Sequence, residues 1–203
     1  MRSRHSLPGD AITLAEFDAR FRADADPWGT TRKRDEAVKR EAILQALGAG
    51  RRGVVWELAS GNGSNSAALA RRALRLVATD GSPRAVELTA KALDTHPNAV
   101  AQEGCLPDGL PEGGVDAVVV AEVLYYLTSA QIAQLGRKLA STLRPRSRVV
   151  LAHHLTDFSD TASRPADCHA KLWRALLQSG RNLDSARTLT RTRRWRVDRA
   201  TVL

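Results

Sequence analysis

Only two cysteines, Cys105 and Cys168, occur in the 203 residues. Two thiols make no disulfide framework, and nothing near them has the spacing of a metal-binding cluster. No stretch approaches the ~20 apolar residues that a membrane span needs. The opening residues, MRSRHSLPGD, carry basic side chains but no apolar segment of the kind that marks a secretory signal. Internal repeats and low-complexity segments are absent. These absences point to a cytoplasmic protein with no resident metal and no membrane association.

The length suits one compact α/β domain and leaves no room for a second substrate domain of similar size. The net charge is +9, and over half of that excess falls in the last 23 residues, which hold 7 basic and 2 acidic side chains. Residues 54–180 are nearly balanced, with 13 basic and 12 acidic side chains. Arg181 to Arg199 therefore reads as a solvated pair of closing strands, and weak, non-specific nucleic-acid affinity is expected of it.

Behind a lead-in of residues 1–33, with a short helix over Ala15–Arg22 and an Asp26-Pro27-Trp28-Gly29 turn, residues 34–203 form the main domain. A helix is expected over Asp35–Leu47, closed by Gly48 and Gly50. Strand-like and helix-like segments then alternate. Strands are expected at Val54–Leu58, Leu74–Thr79, Asn98–Gln102, Val115–Val120 and Arg148–Ala152. Helices are expected at Ser64–Arg72, Pro83–Leu93, Ser129–Leu143 and Asp167–Leu177. Leu183–Leu189 and Trp195–Val202 read as two closing strands. The alternation implies a doubly wound, mostly parallel, Rossmann-like seven-stranded sheet. Ligands bind such sheets beyond the carboxyl ends of the strands, near the point where strand order reverses.

Two strand ends carry the strongest signals. Glu57-Leu58-Ala59-Ser60-Gly61-Asn62-Gly63 follows the first strand and opens a helix. Its small residues let the backbone turn sharply against a ligand, and the helix start offers free N–H groups. Glu57 disfavours a pyrophosphate and favours a cationic or amino-bearing ligand. Asp80, ending the second strand before Gly81, is placed to accept hydrogen bonds from both hydroxyls of a ribose. A dinucleotide fingerprint wants a third glycine where Ser66 stands, which weakens an NAD reading.

With these residues the chain resembles the class I S-adenosylmethionine (SAM)-dependent methyltransferases. Glu57 to Gly63 is similar to their first motif, with Ala59 where glycine is usual, and Asp80 matches their ribose-binding acid. A narrower resemblance is to the nodulation protein S (NodS-like) group. It rests on Asp26-Pro27-Trp28-Gly29, on Glu122-Val123-Leu124-Tyr125-Tyr126-Leu127 and on His153-His154. The resemblance implies SAM as cofactor and S-adenosylhomocysteine as product. It implies Glu57, Ala59, Gly61, Gly63, Asp80, Gly81, Cys105, Leu106 and Glu122 around the cofactor. Cys105 stands where the family shows an acid for the adenine amino group, and the tyrosine common after the Asp-Pro-Trp-Gly segment is replaced by Thr30-Thr31-Arg32. The narrower group implies a small-molecule acceptor such as the amine of an amino sugar.

Methyl transfer depends largely on positioning, and an amine acceptor must also lose a proton. Glu122, His153 and His154 fall at the ends of central strands and are the candidate catalytic residues. Adjacent histidines on a strand point to opposite faces, so at most one faces the pocket. Trp28, Tyr125 and Tyr126 are expected to line the acceptor site, with Trp28 in the lead-in acting as a lid. Two alternatives stay open: an NAD-dependent oxidoreductase, and a non-catalytic module that binds SAM or nucleic acid.

Overall fold

The computed structural model describes residues 11–184 and 186–203. The first ten residues of the expected lead-in, and Ser185 in the expected sixth strand, lie outside the described residues.

The chain begins with α1 (Leu14–Ala23), held at its start by a reciprocal cap between Thr13 and Glu16. Next come α2 (Arg34–Leu47), β1 (Arg52–Leu58), α3 (Ser66–Ala70), β2 (Ala73–Asp80), α4 (Pro83–Ala92) and β3 (Ala99–Glu103). The second half runs β4 (Val115–Ala121), a single 3₁₀ turn (Leu124–Tyr126), α5 (Ser129–Thr142), β5 (Leu143–His154), α6 (Pro165–Gln178), β6 (Arg187–Arg191) and β7 (Trp195–Thr201). Proline at the first turn of α4 and of α6 starts those helices with φ already set.

The seven strands form one sheet in the order β3-β2-β1-β4-β5-β7-β6. β1 to β5 run parallel, whereas β7 lies antiparallel between β5 and β6. This is the expected Rossmann-like sheet, and its order reverses between β1 and β4. The carboxyl ends of those two strands therefore flank the crevice where ligands bind folds of this kind.

β4 shows why the sheet is covered on both faces. Val118 and Val120 belong to one core, with Trp56, Leu135, Leu139, Leu172 and Leu176. Val119 and Ala121 belong to the other, with Ile43, Leu47, Leu69 and Trp195. The period-two alternation sends successive apolar side chains into opposite layers, so a continuous apolar run suits a central strand. Asp116 is the polar exception. Its carboxylate accepts from the Val54 N–H at 2.7 Å and pairs with Arg144 at 2.8 Å.

Three segments differ from expectation. α3 spans five residues instead of the nine expected over Ser64–Arg72, because Gly63 has φ +78° and the Asn62 side chain takes the Ser64 N–H. β5 starts at Leu143 instead of Arg148, through an irregular pairing with β4, and runs on through both histidines. β6 begins at Arg187, while Leu183 makes only an isolated bridge to Val202.

α5 and α6 cover one face and meet at Gly136. A Cβ on Gly136 would sit 2.4 Å from the Ala175 Cβ, a contact no rigid pair of helices accommodates. Helix propensity alone makes Gly136→Ala stabilising by about 1 kcal/mol. The contact predicts the reverse, a loss of about 1–3 kcal/mol typical of overpacking, read as a lower midpoint in thermal or denaturant unfolding.

Candidate functional site

The turn after β1 is built from left-handed residues. Ala59, Gly61 and Gly63 have φ of +59°, +60° and +78°. Gly63 admits no side chain, since a Cβ would lie 2.7 Å from the Ala92 Cβ and 2.9 Å from the Thr89 Cα. Ala59 adopts the same conformation at a steric cost of about 1–2 kcal/mol. Asp80, at the end of β2, accepts one backbone N–H on each oxygen: Gly61 at 2.8 Å and Ser82 at 2.9 Å. Those bonds fix the carboxylate, and each oxygen keeps a lone pair for a vicinal diol. Burial pushes the Asp80 carboxyl above its usual range.

Glu57 is placed differently from the ligand-facing position its motif suggested. Its side chain is buried under the turn, where the Ser66 hydroxyl donates to it at 2.5 Å and ties β1 to the first turn of α3. Burial pushes its carboxyl up to about 8, against the hydrogen bond from Ser66. Cys105 is exposed. Leu106 packs against the core.

The lead-in clasps this turn. The Asp26 carboxylate accepts from the N–H and hydroxyl of both Thr30 and Thr31 at 2.5–3.3 Å, and from Arg32. Burial opposes its ionisation, but the threonine hydrogen bonds prevail and hold it down to about 2. Thr30 and Thr31, which replace the expected tyrosine, are thus the cradle of Asp26. Asn62 of the glycine turn donates to the Ala25 carbonyl and to Asp26, both at 3.1 Å. From α1, Asp18 accepts from the Ser82 hydroxyl and the Arg84 N–H at the start of α4. Trp28 lies tilted against Phe17 and edge-to-face with Phe21, and Phe17 meets Tyr126 edge-to-face.

Beyond β4 the chain turns through Glu122, a non-glycine residue at φ +57°. Four donors surround its carboxylate. One oxygen takes the Lys39 ammonium and the His154 Nδ1, the latter at 2.9 Å. The other takes the Tyr125 hydroxyl at 2.6 Å and the His154 N–H at 3.1 Å. Burial alone would raise the Glu122 carboxyl, but the hydrogen bond from His154 and the charge of Lys39 hold it far below its usual range. Tyr125 is pushed well up, by burial first and then by Glu122, so it stays a donor. Lys39 is 3% exposed and also donates to Glu36 at 3.0 Å.

The two histidines part as their strand positions require. His154 is partly exposed and faces this cluster. Its Nδ1 lies against Glu122, and its Nε2 lies 3.7 Å from Glu36. His153 is fully buried, and both of its ring nitrogens are engaged. It is corrected from a candidate base to an interior residue, since no nitrogen is free to take a substrate proton. Tyr126 and Phe158 pack against Tyr125, and Phe158 also meets His154 edge-on, with Tyr126 pushed up to about 12 chiefly by burial. Sequence reasoning missed Glu36 and Lys39, whose three-residue spacing reads as a solvated pair on α2.

A family model described as a methyltransferase domain matches residues 55–146. No curated relative matches by sequence. Among solved structures, the N-methyltransferase NodS from Bradyrhizobium japonicum WM9, in complex with S-adenosylhomocysteine, is similar at 19% identity. The match covers 94% of this chain and 99% of that one, with a TM-score of 0.77. A putative methyltransferase from Pseudomonas syringae is 27% identical over 83% of this chain and 99% of that one, with a TM-score of 0.66. Magnesium protoporphyrin IX methyltransferase from Synechocystis PCC 6803, with bound SAM, is 16% identical over 98% and 99%, with a TM-score of 0.67. The architecture is that of the class I methyltransferases, and the domain match spans β1 to the start of β5.

Glu57 gives the site a pH signature in stability. An unfolded glutamate ionises near its model value of 4.5, whereas the folded one holds its proton to about 8. The stability associated with the neutral carboxyl is complete below pH 4.5 and falls as pH rises toward 8. Glu57→Gln keeps the contact with Ser66 and removes that slope. Denaturant midpoints measured across this window should decline in the wild type more steeply than in the variant. Equal slopes would show that Glu57 is ionised when folded.

Proposed function

We propose that this SAM-dependent methyltransferase transfers a methyl group to the amine of a small molecule, with an amino sugar as the leading candidate. The observation that carries the reading is the Glu122–His154 pair beside the glycine turn and Asp80. A base oriented by a carboxylate serves to deprotonate an acceptor. The resemblance to the NodS N-methyltransferase supports a nitrogen acceptor.

In this reading the ribose diol is held by Asp80, and the backbone of Gly61 and Gly63 lets the cofactor approach. The donor chemistry of the turn fits SAM: a fixed carboxylate for a diol, and no basic cradle for a pyrophosphate. SAM supplies an electrophilic methyl group on a sulfonium. The chain supplies position and proton management. An ammonium entering between Tyr126, Phe158 and His154 meets aromatic faces and the carboxylates of Glu122 and Glu36, all of which favour a cation. His154 accepts the ammonium proton at Nε2, and the amine lone pair becomes free to attack. Glu122 holds the Nδ1–H throughout, and Glu36 lies on the side where positive charge develops. Trp28, with α1, closes the lead-in over the site as a lid. The SAM-like donor set weighs against an NAD-dependent oxidoreductase, and the oriented base weighs against a module that only binds.

Incubation with SAM and a panel of small amines that includes amino sugars should give products heavier by one methylene, detected by mass spectrometry. No methylated amine in the presence of tightly bound SAM would instead favour a binding module. Asp80→Ala should weaken SAM binding by at least about tenfold, the loss of a charge-assisted hydrogen bond. Unchanged affinity in the folded variant would defeat that assignment. His154→Ala should lower kcat by roughly 10²–10⁴-fold and flatten its rise with pH, while calorimetry finds SAM affinity near normal.

A further inference from the structure

The interior imidazole of His153 belongs to a chain of hydrogen bonds that the proposed chemistry does not use. The N–H groups of Val123 and Leu124 point at His153 Nε2, at 3.3 and 3.1 Å. His153 Nδ1 lies 2.8 Å from His169 Nε2 on α6. His169 Nδ1 lies 2.7 Å from Asp198 Oδ2 on β7. Both rings are fully buried.

With both rings neutral, the direction of the protons in this chain follows from its first member. A backbone N–H can only donate, so His153 Nε2 is an acceptor and carries no hydrogen. A neutral His153 then has its proton on Nδ1 and donates to His169 Nε2. His169 in turn has its proton on Nδ1 and donates to Asp198. Arg196 Nε–H points at His169 Nδ1 at 3.1 Å and lies 3.4 Å from Asp198 Oδ2, so a proton on His169 Nδ1 requires that N–H to turn to the carboxylate. A second proton on either ring would set two N–H groups against each other. Burial, which pulls both imidazoles down, works in the same direction.

The chain ends on the two residues after Glu122. That residue sits at φ +57°, a strained conformation that persists only where its surroundings enforce it. We propose that His153, His169 and Asp198 form a buried positioning relay. It grips the Val123 and Leu124 N–H groups, holds the turn at Glu122, and so aims the carboxylate that orients His154. The role given to Glu122 rests on the proposed function, whereas the proton order of the relay does not.

The test has two arms, chosen to fail separately. In the first, protein labelled with ¹⁵N-histidine is studied by long-range ¹H–¹⁵N correlation, with the His169 variants assigning the signals. His153 and His169 should both be the Nδ1–H tautomer, unchanged between about pH 5 and 8. An Nε2–H tautomer, or titration of either ring in that window, would overturn the relay without reference to activity. In the second arm, His169→Phe keeps a ring but removes the acceptor, whereas the amide oxygen of His169→Gln can still accept from His153. The phenylalanine variant should lose roughly 10- to 100-fold in kcat, as for a displaced catalytic group, with SAM affinity near normal. The glutamine variant should recover most of that loss. Equal rates in the two variants, or SAM affinity lost together with the rate, would contradict a positioning role. If the phenylalanine variant does not fold, the tautomers and the rate of the glutamine variant decide. A wild type with the expected tautomers but no methyl transfer would reject the proposed function and leave the relay standing.

Discussion

A carboxylate that is surrounded by protein and still ionised organises the cluster at the ends of β4 and β5. Glu122 keeps its charge because the Lys39 ammonium, the His154 ring and backbone N–H, and the Tyr125 hydroxyl all converge on its two oxygens. Without them, burial would neutralise it. Each partner comes from a different part of the fold: Lys39 from α2, His154 from the end of β5, and Tyr125 from the turn after β4. The carboxylate ties the His154 ring, through Nδ1, to the turn after β4. The left-handed backbone at Glu122 brings the carboxylate to this point, and the buried imidazoles brace that backbone.

The glycine turn and Asp80 depend on the same switch point from its other side. β1 ends in the glycine turn and β2 in Asp80, with the fixed carboxylate tying the Gly61 N–H to the start of α4. The lead-in closes over both through Asp26, Asn62 and Asp18. Its aromatic cluster reaches from Phe21, near Gly61, to Tyr126 after β4. One clasp therefore reaches from the glycine turn to Tyr126.

Much of this was legible in the sequence, for physical reasons. Residues 115–120 form an unbroken apolar run because β4 is covered on both faces, and the small residues of 59–63 mark the turn because only they tolerate its dihedrals. Other features depend on contacts between distant segments. Glu36 and Lys39 look like an ordinary surface pair until α2 is laid against the ends of β4 and β5. Strand parity separates His153 from His154 but cannot say which one faces the pocket, and the depth of β5 in the sheet decides that. The five-residue α3 escaped because the Asn62 side chain captures the Ser64 N–H, a local bond that competes with the helix. Thr30 and Thr31 read as a missing tyrosine, whereas they supply the donors that keep Asp26 ionised.

No helix among the described residues is long and apolar enough to cross a membrane. The most direct test of the account is the single-turnover rate of Glu122→Gln against pH, with saturating SAM and an amine acceptor. Glutamine keeps the shape of the side chain and removes its charge. The account predicts a rate lower by roughly 10²-fold or more, with an altered pH profile and SAM affinity close to that of the wild type. A wild-type rate and profile in Glu122→Gln would contradict it, and catalysis would then rest on positioning without an oriented base.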